Sequence, residues 1–303
     1  ATALAQEAEW MQNFNDAKAK AKAEGKDLLV DFTGSDWCIW CKRLDKEVFA
    51  EKDFQTEIVK HYVLVKLDFP RDEKLVTPEI KAQNEALQTE YGIEGFPTIF
   101  LMDAGGRPYA QTGYQEGGAA KYLPHVADLQ KAKATRDENF TKAKDAKGLD
   151  RAKLLAAGID GMTEDLALKH YKAEVDEILK LDEKNEAGLQ AKFAAKLAMV
   201  ELEKQFNELA QQGDWDGVDK YMADLLTKYK DSKPIVQKAT FYRAVVLIES
   251  KQDFDGALKL IDEAMKVDAD GEFGKRLVQI RANVERIKKQ QEEEKGGEKK
   301  DGE

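Results

Sequence analysis

Two cysteines occur in a chain of 303 residues, and they stand three apart as Cys38-Ile39-Trp40-Cys41. A bridge between i and i+3 closes too small a loop to serve as a structural staple, because the gain grows with loop length. Structural zinc takes four ligands, commonly two Cys pairs or a Cys pair with a His pair. A second Cys pair is lacking, and His61, His125 and His170 are scattered. No metal and no cofactor are therefore expected, and redox chemistry is the use this pair fits.

The flanks say where the pair sits. Leu28-Leu29-Val30-Asp31-Phe32 is a short, nearly all-apolar run, as a central strand covered on both faces requires. After the cysteines, Leu44, Val48 and Phe49 give a helix one apolar face. Cys38 is thus placed at a helix N-terminus, where free backbone N–H groups and the positive dipole end favour a thiolate. Lys42 and Arg43 add positive charge one turn later. Cys38 is the expected nucleophile, and Cys41, one turn in, is placed to resolve a mixed disulfide.

Around this centre the pattern reads as α/β. Residues 6–24 are expected as an amphipathic helix with Trp10, Phe14 and Ala17 on one face, stopped by Gly25. Strands are expected at 62–68 and 98–102, with Tyr109 to Thr112 pairing back as a hairpin. Thr77-Pro78-Glu79 starts a helix, with Thr as N-cap and Pro in the first turn, and Gly92 ends it. A helix from about Ala119 to Lys133 closes a unit with a mixed central sheet flanked by helices.

Past residue 136 strand-like runs vanish and helical periodicities take over. Gly213-Asp214-Trp215-Asp216-Gly217-Val218 and Gln252-Asp253-Phe254-Asp255-Gly256-Ala257 match each other between helices, as helical hairpin repeats do. Residues 239–270 resemble a tetratricopeptide unit. The expected organisation is an α/β domain over 1–135, a linker and short helix over 136–160, a helical-repeat domain over 161–290 and a disordered charged tail over 291–303.

A formal charge of −10 argues against nucleic acid as a partner. No apolar run approaches the roughly 20 residues that span a bilayer. Ala3-Leu4-Ala5 fits the small-residue rule at the end of a secretory signal, so an exported, periplasmic protein with its signal peptide removed is expected.

Residues 31–42, with Trp37 directly before the first Cys, resemble the active-site stretch of the thioredoxin superfamily. Tyr91-Gly92-Ile93-Glu94-Gly95-Phe96-Pro97-Thr98 is similar to the segment that carries that family's cis-proline. The resemblance covers roughly residues 8–133 and implies a thioredoxin fold, with Pro97 cis beside the dithiol. It further implies substrate contacts at Trp37, Phe96, Pro97 and Gly113, and a buried acid and lysine pair, Asp31 and Lys66, that moves the proton of the second cysteine.

Two departures stand out. One extra residue precedes Cys38, which opens a rival acid at Asp36, and Ile39-Trp40 replaces thioredoxin's Gly-Pro. Trp40 is expected to pack, and Trp37 to be a partly exposed groove wall. The pattern SDWCxWC with a following Lys-x-x-x-x-Glu-Val-Phe resembles exported bacterial thioredoxin-like domains, among them the C-terminal domain of the membrane thiol-disulfide interchange protein.

The resemblance implies a thiol-disulfide oxidoreductase of exported proteins, acting as a reductase on protein disulfides and recharged by an upstream redox partner. The helical domain would position a protein partner or mediate dimerisation. The alternative is a binding module in which the repeats dock a partner and the first domain recognises its thiol-containing segment.

Overall fold

A computed structural model describes residues 8–298, with side chains as far as Glu293; Ala3-Leu4-Ala5 and the last five residues lie outside the described residues. The chain divides into two compact units between Gln190 and Ala191.

The first unit begins with β1 (Trp10–Met11), α1 (Phe14–Glu24), β2 (Asp27–Thr33) and α2 (Ile39–Leu44), which runs on through a wider turn at Asp45–Phe49. Next come α3 (Lys52–Ile58), β3 (Tyr62–Asp68), α4 (Pro78–Tyr91), β4 (Thr98–Met102), β5 (Pro108–Thr112) and α5 (Gly118–Ala143). The strands form one mixed sheet in the order β1-β3-β2-β4-β5. β2 is parallel to β3 and antiparallel to β4, so it is hydrogen-bonded on both edges. All seven of its residues are buried, which accounts for its unbroken apolar run. Leu29, Leu64, Ile99 and Leu101 of the sheet share one core with Leu44, Val48, Phe54, Ile58 and Tyr122 of the helices.

One expectation fails at the start. Residues 8–13 are not helical: Trp10 and Met11 pair with Leu64 and Val65 as an edge strand. Asn13 begins α1 by accepting the N–H groups of Asn15 and Asp16, each at 3.0 Å, so the helix starts after Trp10. Trp10 lies against Phe49 at 4.8 Å between ring centroids. A two-residue strand is too short to show a period of its own, so its Trp passed for part of the helical stripe.

The first unit also contains α6 (Gly148–Ile159), α7 (Glu164–His170) and α8 (Lys172–Leu181). Polar anchors tie them to the β4–β5 hairpin. The Tyr171 hydroxyl donates to the Pro108 carbonyl at 2.9 Å and accepts from buried Arg136 at 2.9 Å. Arg136 also pairs with Asp103 at 3.0 Å. Arg107 donates to the His170 carbonyl, pairs with Glu174 at 2.6 Å and lies 3.9 Å over the Tyr171 ring.

The second unit consists of α9 (Leu189–Gln211), α10 (Trp215–Lys228), α11 (Lys233–Lys251), α12 (Phe254–Val267) and α13 (Glu272–Glu298). α11 packs against both α10 and α12, and α12 against α13, with Phe206 and Tyr242 stacked at 3.8 Å in one core. The repeated Asp-x-x-Gly has a local cause. Asp214 and Asp253 are N-caps that accept the N–H of Gly217 and Gly256 at 2.9 and 2.8 Å. A Cβ on either glycine would lie 2.3 Å from its cap carboxylate, so the glycine lets the carboxylate come in close over the N–H it accepts. α13 continues through the apolar-free stretch after Lys288 as far as Glu298. Among the described residues no helix is long and apolar enough to cross a membrane.

Arg136→Met strips Tyr171 and Asp103 of a buried cationic partner. It is expected to lower the unfolding free energy of the first unit by about 2 kcal/mol. A urea titration followed by near-UV circular dichroism checks this; an unchanged midpoint would show that the anchor contributes nothing.

Candidate active site

The loop from Gly34 to Trp37 carries the chain from the end of β2 to the start of α2, and Cys38 is the N-cap of that helix. Cys38 and Cys41 are joined as a disulfide with their Cα atoms 5.3 Å apart. The Cys41 N–H donates to the Cys38 sulfur at 3.2 Å. Once the bond is reduced, that donor and the helix N-terminus both favour a thiolate on Cys38. Cys38 is only 6 % exposed and Cys41 4 %, so the sulfurs are reached through a narrow opening.

The Phe96–Pro97 peptide is cis, and the Phe96 carbonyl oxygen lies 3.6 Å from the Cys38 sulfur. Gly113 abuts the same turn: a Cβ on it would stand 3.1 Å from the Pro97 carbonyl oxygen. Trp37 packs edge-on to Phe96 at 5.8 Å and donates its indole N–H to the Phe69 carbonyl at 2.8 Å. The residues expected at the site, Cys38, Cys41, Trp37, Phe96, Pro97 and Gly113, are therefore brought together by three separate loops.

The extra residue before the dithiol is absorbed by contacts to the loop after β3. The Ser35 N–H and hydroxyl both donate to Asp68, at 2.9 and 2.5 Å. Asp36 accepts the N–H groups of Arg71 and Asp72 at 2.8–3.0 Å, and these donors hold its carboxyl below the usual range. Gly34 makes room for Trp37, since a Cβ there would meet the indole at 2.5 Å. Asp36 is thus an ionised clamp for the loop, and the buried acid is Asp31.

Asp31 is 4 % exposed, and its Oδ1 has no hydrogen-bond partner within the protein. Burial pushes its carboxyl up to about 8; the Lys66 charge acts the other way, and Asp45 and Asp68 reinforce the rise. Lys66 is its register partner on β3.

Trp40 does not pack as expected: it is 53 % exposed beside Ile39, which is 72 % exposed. Its neighbours are the Arg43 guanidinium at 5.3 Å and, at 5.4 Å, Tyr114, which is only partly buried against the edge of the core. Arg43 and Tyr114 were missed as site residues, although Glu47, which holds both, stands in the Lys-x-x-x-x-Glu-Val-Phe pattern. Among the described residues no group of three or more His, Cys, Asp or Glu side chains is placed to hold a metal ion.

A family model described as a thioredoxin-like domain matches residues 14–127. The disulfide bond reductase DsbH of Chlamydia pneumoniae is 32% identical over 121 residues, which are 40% of this chain and 72% of that protein. The thiol:disulfide interchange protein DsbD of Yersinia enterocolitica is 32% identical over 114 residues, 37% of this chain but only 18% of its own length. A solved structure of a DsbH oxidoreductase aligns at 30% identity and a TM-score of 0.40, covering 42% of this chain and 87% of that one.

Because the fold holds the Asp31 proton more tightly than the unfolded chain, with an ordinary value near 3.8, its contribution to stability declines as pH rises from about 3.8 to about 8. Asp31→Asn is expected to stabilise the protein, by about 2 kcal/mol at pH 5 and about 5 kcal/mol at pH 8. Denaturant titrations at the two pH values check this. A gain that does not grow with pH would mean that Asp31 titrates normally.

Proposed function

The chain belongs to the thioredoxin-like family of thiol-disulfide oxidoreductases, and from that premise we propose that it reduces disulfides in exported proteins. The observation that carries this reading is the Cys38–Cys41 pair at the start of α2 beside the cis Phe96–Pro97 peptide.

The Cys38 thiolate attacks one sulfur of a substrate disulfide. A Cys38–substrate bond forms as the substrate bond breaks, and the displaced sulfur leaves as a thiolate that takes a proton from water. Cys41 then loses its proton and attacks the Cys38 sulfur. The internal disulfide forms, the second substrate sulfur departs, and two electrons have passed from the dithiol to the substrate. Asp31 accepts the Cys41 proton, with Lys66 beside it; a buried carboxyl titrating near neutrality suits a base working there. Trp37, Phe96, Pro97 and Gly113 hold the substrate chain against the dithiol. Each turnover leaves the pair oxidised, so an upstream dithiol partner must return the two electrons.

An exported setting is supported by the relatives and by the signal-like Ala3-Leu4-Ala5. The second unit takes no part in the electron transfer. It is the part proposed to hold a protein partner or a second copy of the chain, and the exposed Leu197 and Val200 on α9 support that role.

Cys41→Ser, with Cys38 reduced, is expected to accumulate a mixed disulfide with a disulfide-bonded test protein, visible on a non-reducing gel, while Cys38→Ser forms none and loses at least about 100-fold in disulfide reduction, on the order expected when the attacking thiolate is removed. A Cys38→Ser protein that reduces the substrate as fast as the unaltered chain would overturn the assignment.

A further inference from the structure

Trp40, Arg43 and Glu47 are spaced i, i+3 and i+7, so they fall on one face of α2 and the turn that continues it. Tyr114, from the loop after β5, completes the group across a sequence gap of 67 residues. The Glu47 carboxylate accepts from Arg43 Nε at 2.8 Å and from the Tyr114 hydroxyl at 2.5 Å. Those two bonds hold the carboxyl below its ordinary range, Tyr114 first and Arg43 second. The Arg43 guanidinium in turn lies 5.3 Å over the Trp40 ring and 4.8 Å over the Tyr114 ring. Two aromatic rings on distant segments are thus pinned side by side through one ion pair, and Trp40 still presents half its surface to solvent.

This wall adjoins the reacting atoms. Trp40 lies between the two cysteines in the chain, and Tyr114 directly follows Gly113, which abuts the Pro97 carbonyl. The Phe96 side of the same turn carries the Trp37 ring. A substrate sulfur must come within bonding distance of a Cys38 that is 6 % exposed, and the strongly exposed side chains that follow it in the chain are Ile39 and Trp40, with Tyr114 against Trp40. The Tyr114 hydroxyl is already bonded to Glu47 and is not offered to a hydrophilic neighbour, so what these residues present is chiefly ring and aliphatic surface.

We propose that Trp40 and Tyr114 form a specificity wall that selects disulfides flanked by an aromatic or large apolar residue on a polypeptide, and that Glu47 and Arg43 are the positioning residues that hold it. This rests on the reading of Cys38 and Cys41 as a reducing dithiol. The substrate's flanking side chain stacks on Trp40, and the selection is made on the residue beside the attacked cysteine.

The test compares two synthetic disulfide peptides that differ only in Phe or Ser next to the attacked cysteine, using the full chain with its dithiol kept reduced by a small dithiol reagent whose direct reaction with each peptide is measured and subtracted. The unaltered protein should favour the Phe peptide about fivefold in kcat/KM, the scale of one aromatic contact. Trp40→Ala and Tyr114→Ala should bring that ratio close to one, and Trp40→Phe should restore most of it. Glu47→Gln should cut the ratio about twofold, with the loss falling on KM rather than kcat, as a wall freed to move predicts.

Equal use of the two peptides by the unaltered protein would overturn the inference while leaving the reductase reading intact. So would a preference that survives in both alanine variants. Failure to reduce either peptide would overturn the reductase reading, and the inference with it.

Discussion

Everything at the dithiol hangs on the burial of β2. A strand paired on both edges, and covered on both faces, releases its chain at the rim of the sheet, and there the Gly34–Trp37 loop leads it into α2. That turn is where Cys38 becomes an N-cap, with the Cys41 N–H aimed at its sulfur. The same burial takes Asp31 out of water, which raises its proton affinity and leaves one carboxylate oxygen without a partner. The setting of the Cys38 sulfur and the raised proton affinity of Asp31, the base proposed for the second cysteine, are two consequences of one packing constraint.

The remaining parts of the site are delivered to that rim by loops, and the loop before the cysteines is fixed by polar bonds that reach across the sequence. The Ser35–Asp68 and Asp36–Arg71 contacts hold the loop before the cysteines to the loop after β3. Trp37 adds its bond to the Phe69 carbonyl. The Phe96–Pro97 turn arrives from the start of β4, and Gly113 from the end of β5. An added residue before the dithiol therefore does not displace Asp31. It gives the loop the length to clamp its neighbour.

How much of this was legible in the sequence follows from the range of the interactions involved. The dithiol, the apolar run of β2 and the Thr77-Pro78 helix start are local signals, and each stands where it was read. The matched Asp-x-x-Gly segments of the second unit are equally local, since the cap and the glycine whose N–H it accepts lie three residues apart. Trp40 was misread because its surroundings come from elsewhere: Tyr114 is 74 positions downstream by the numbering, and helical spacing alone does not distinguish a ring bound for the core from one pinned at the rim. Trp10 was misread for the opposite reason, since its strand is two residues long and gains its identity only by pairing with β3. The ties of α6–α8 to the β4–β5 hairpin, through Arg107, Arg136 and Tyr171, likewise join residues about 30 or more apart and leave no local mark.

The central claim is that this dithiol gives electrons to substrate disulfides. Equilibrating the full chain with mixtures of reduced and oxidised glutathione, and counting free thiols at Cys38 and Cys41, measures the quantity that decides it. A donor should hold its disulfide at a potential near the thioredoxin end of the scale, at about −270 mV. A value near about −120 mV, where the strong oxidants of the same fold lie, would contradict the account.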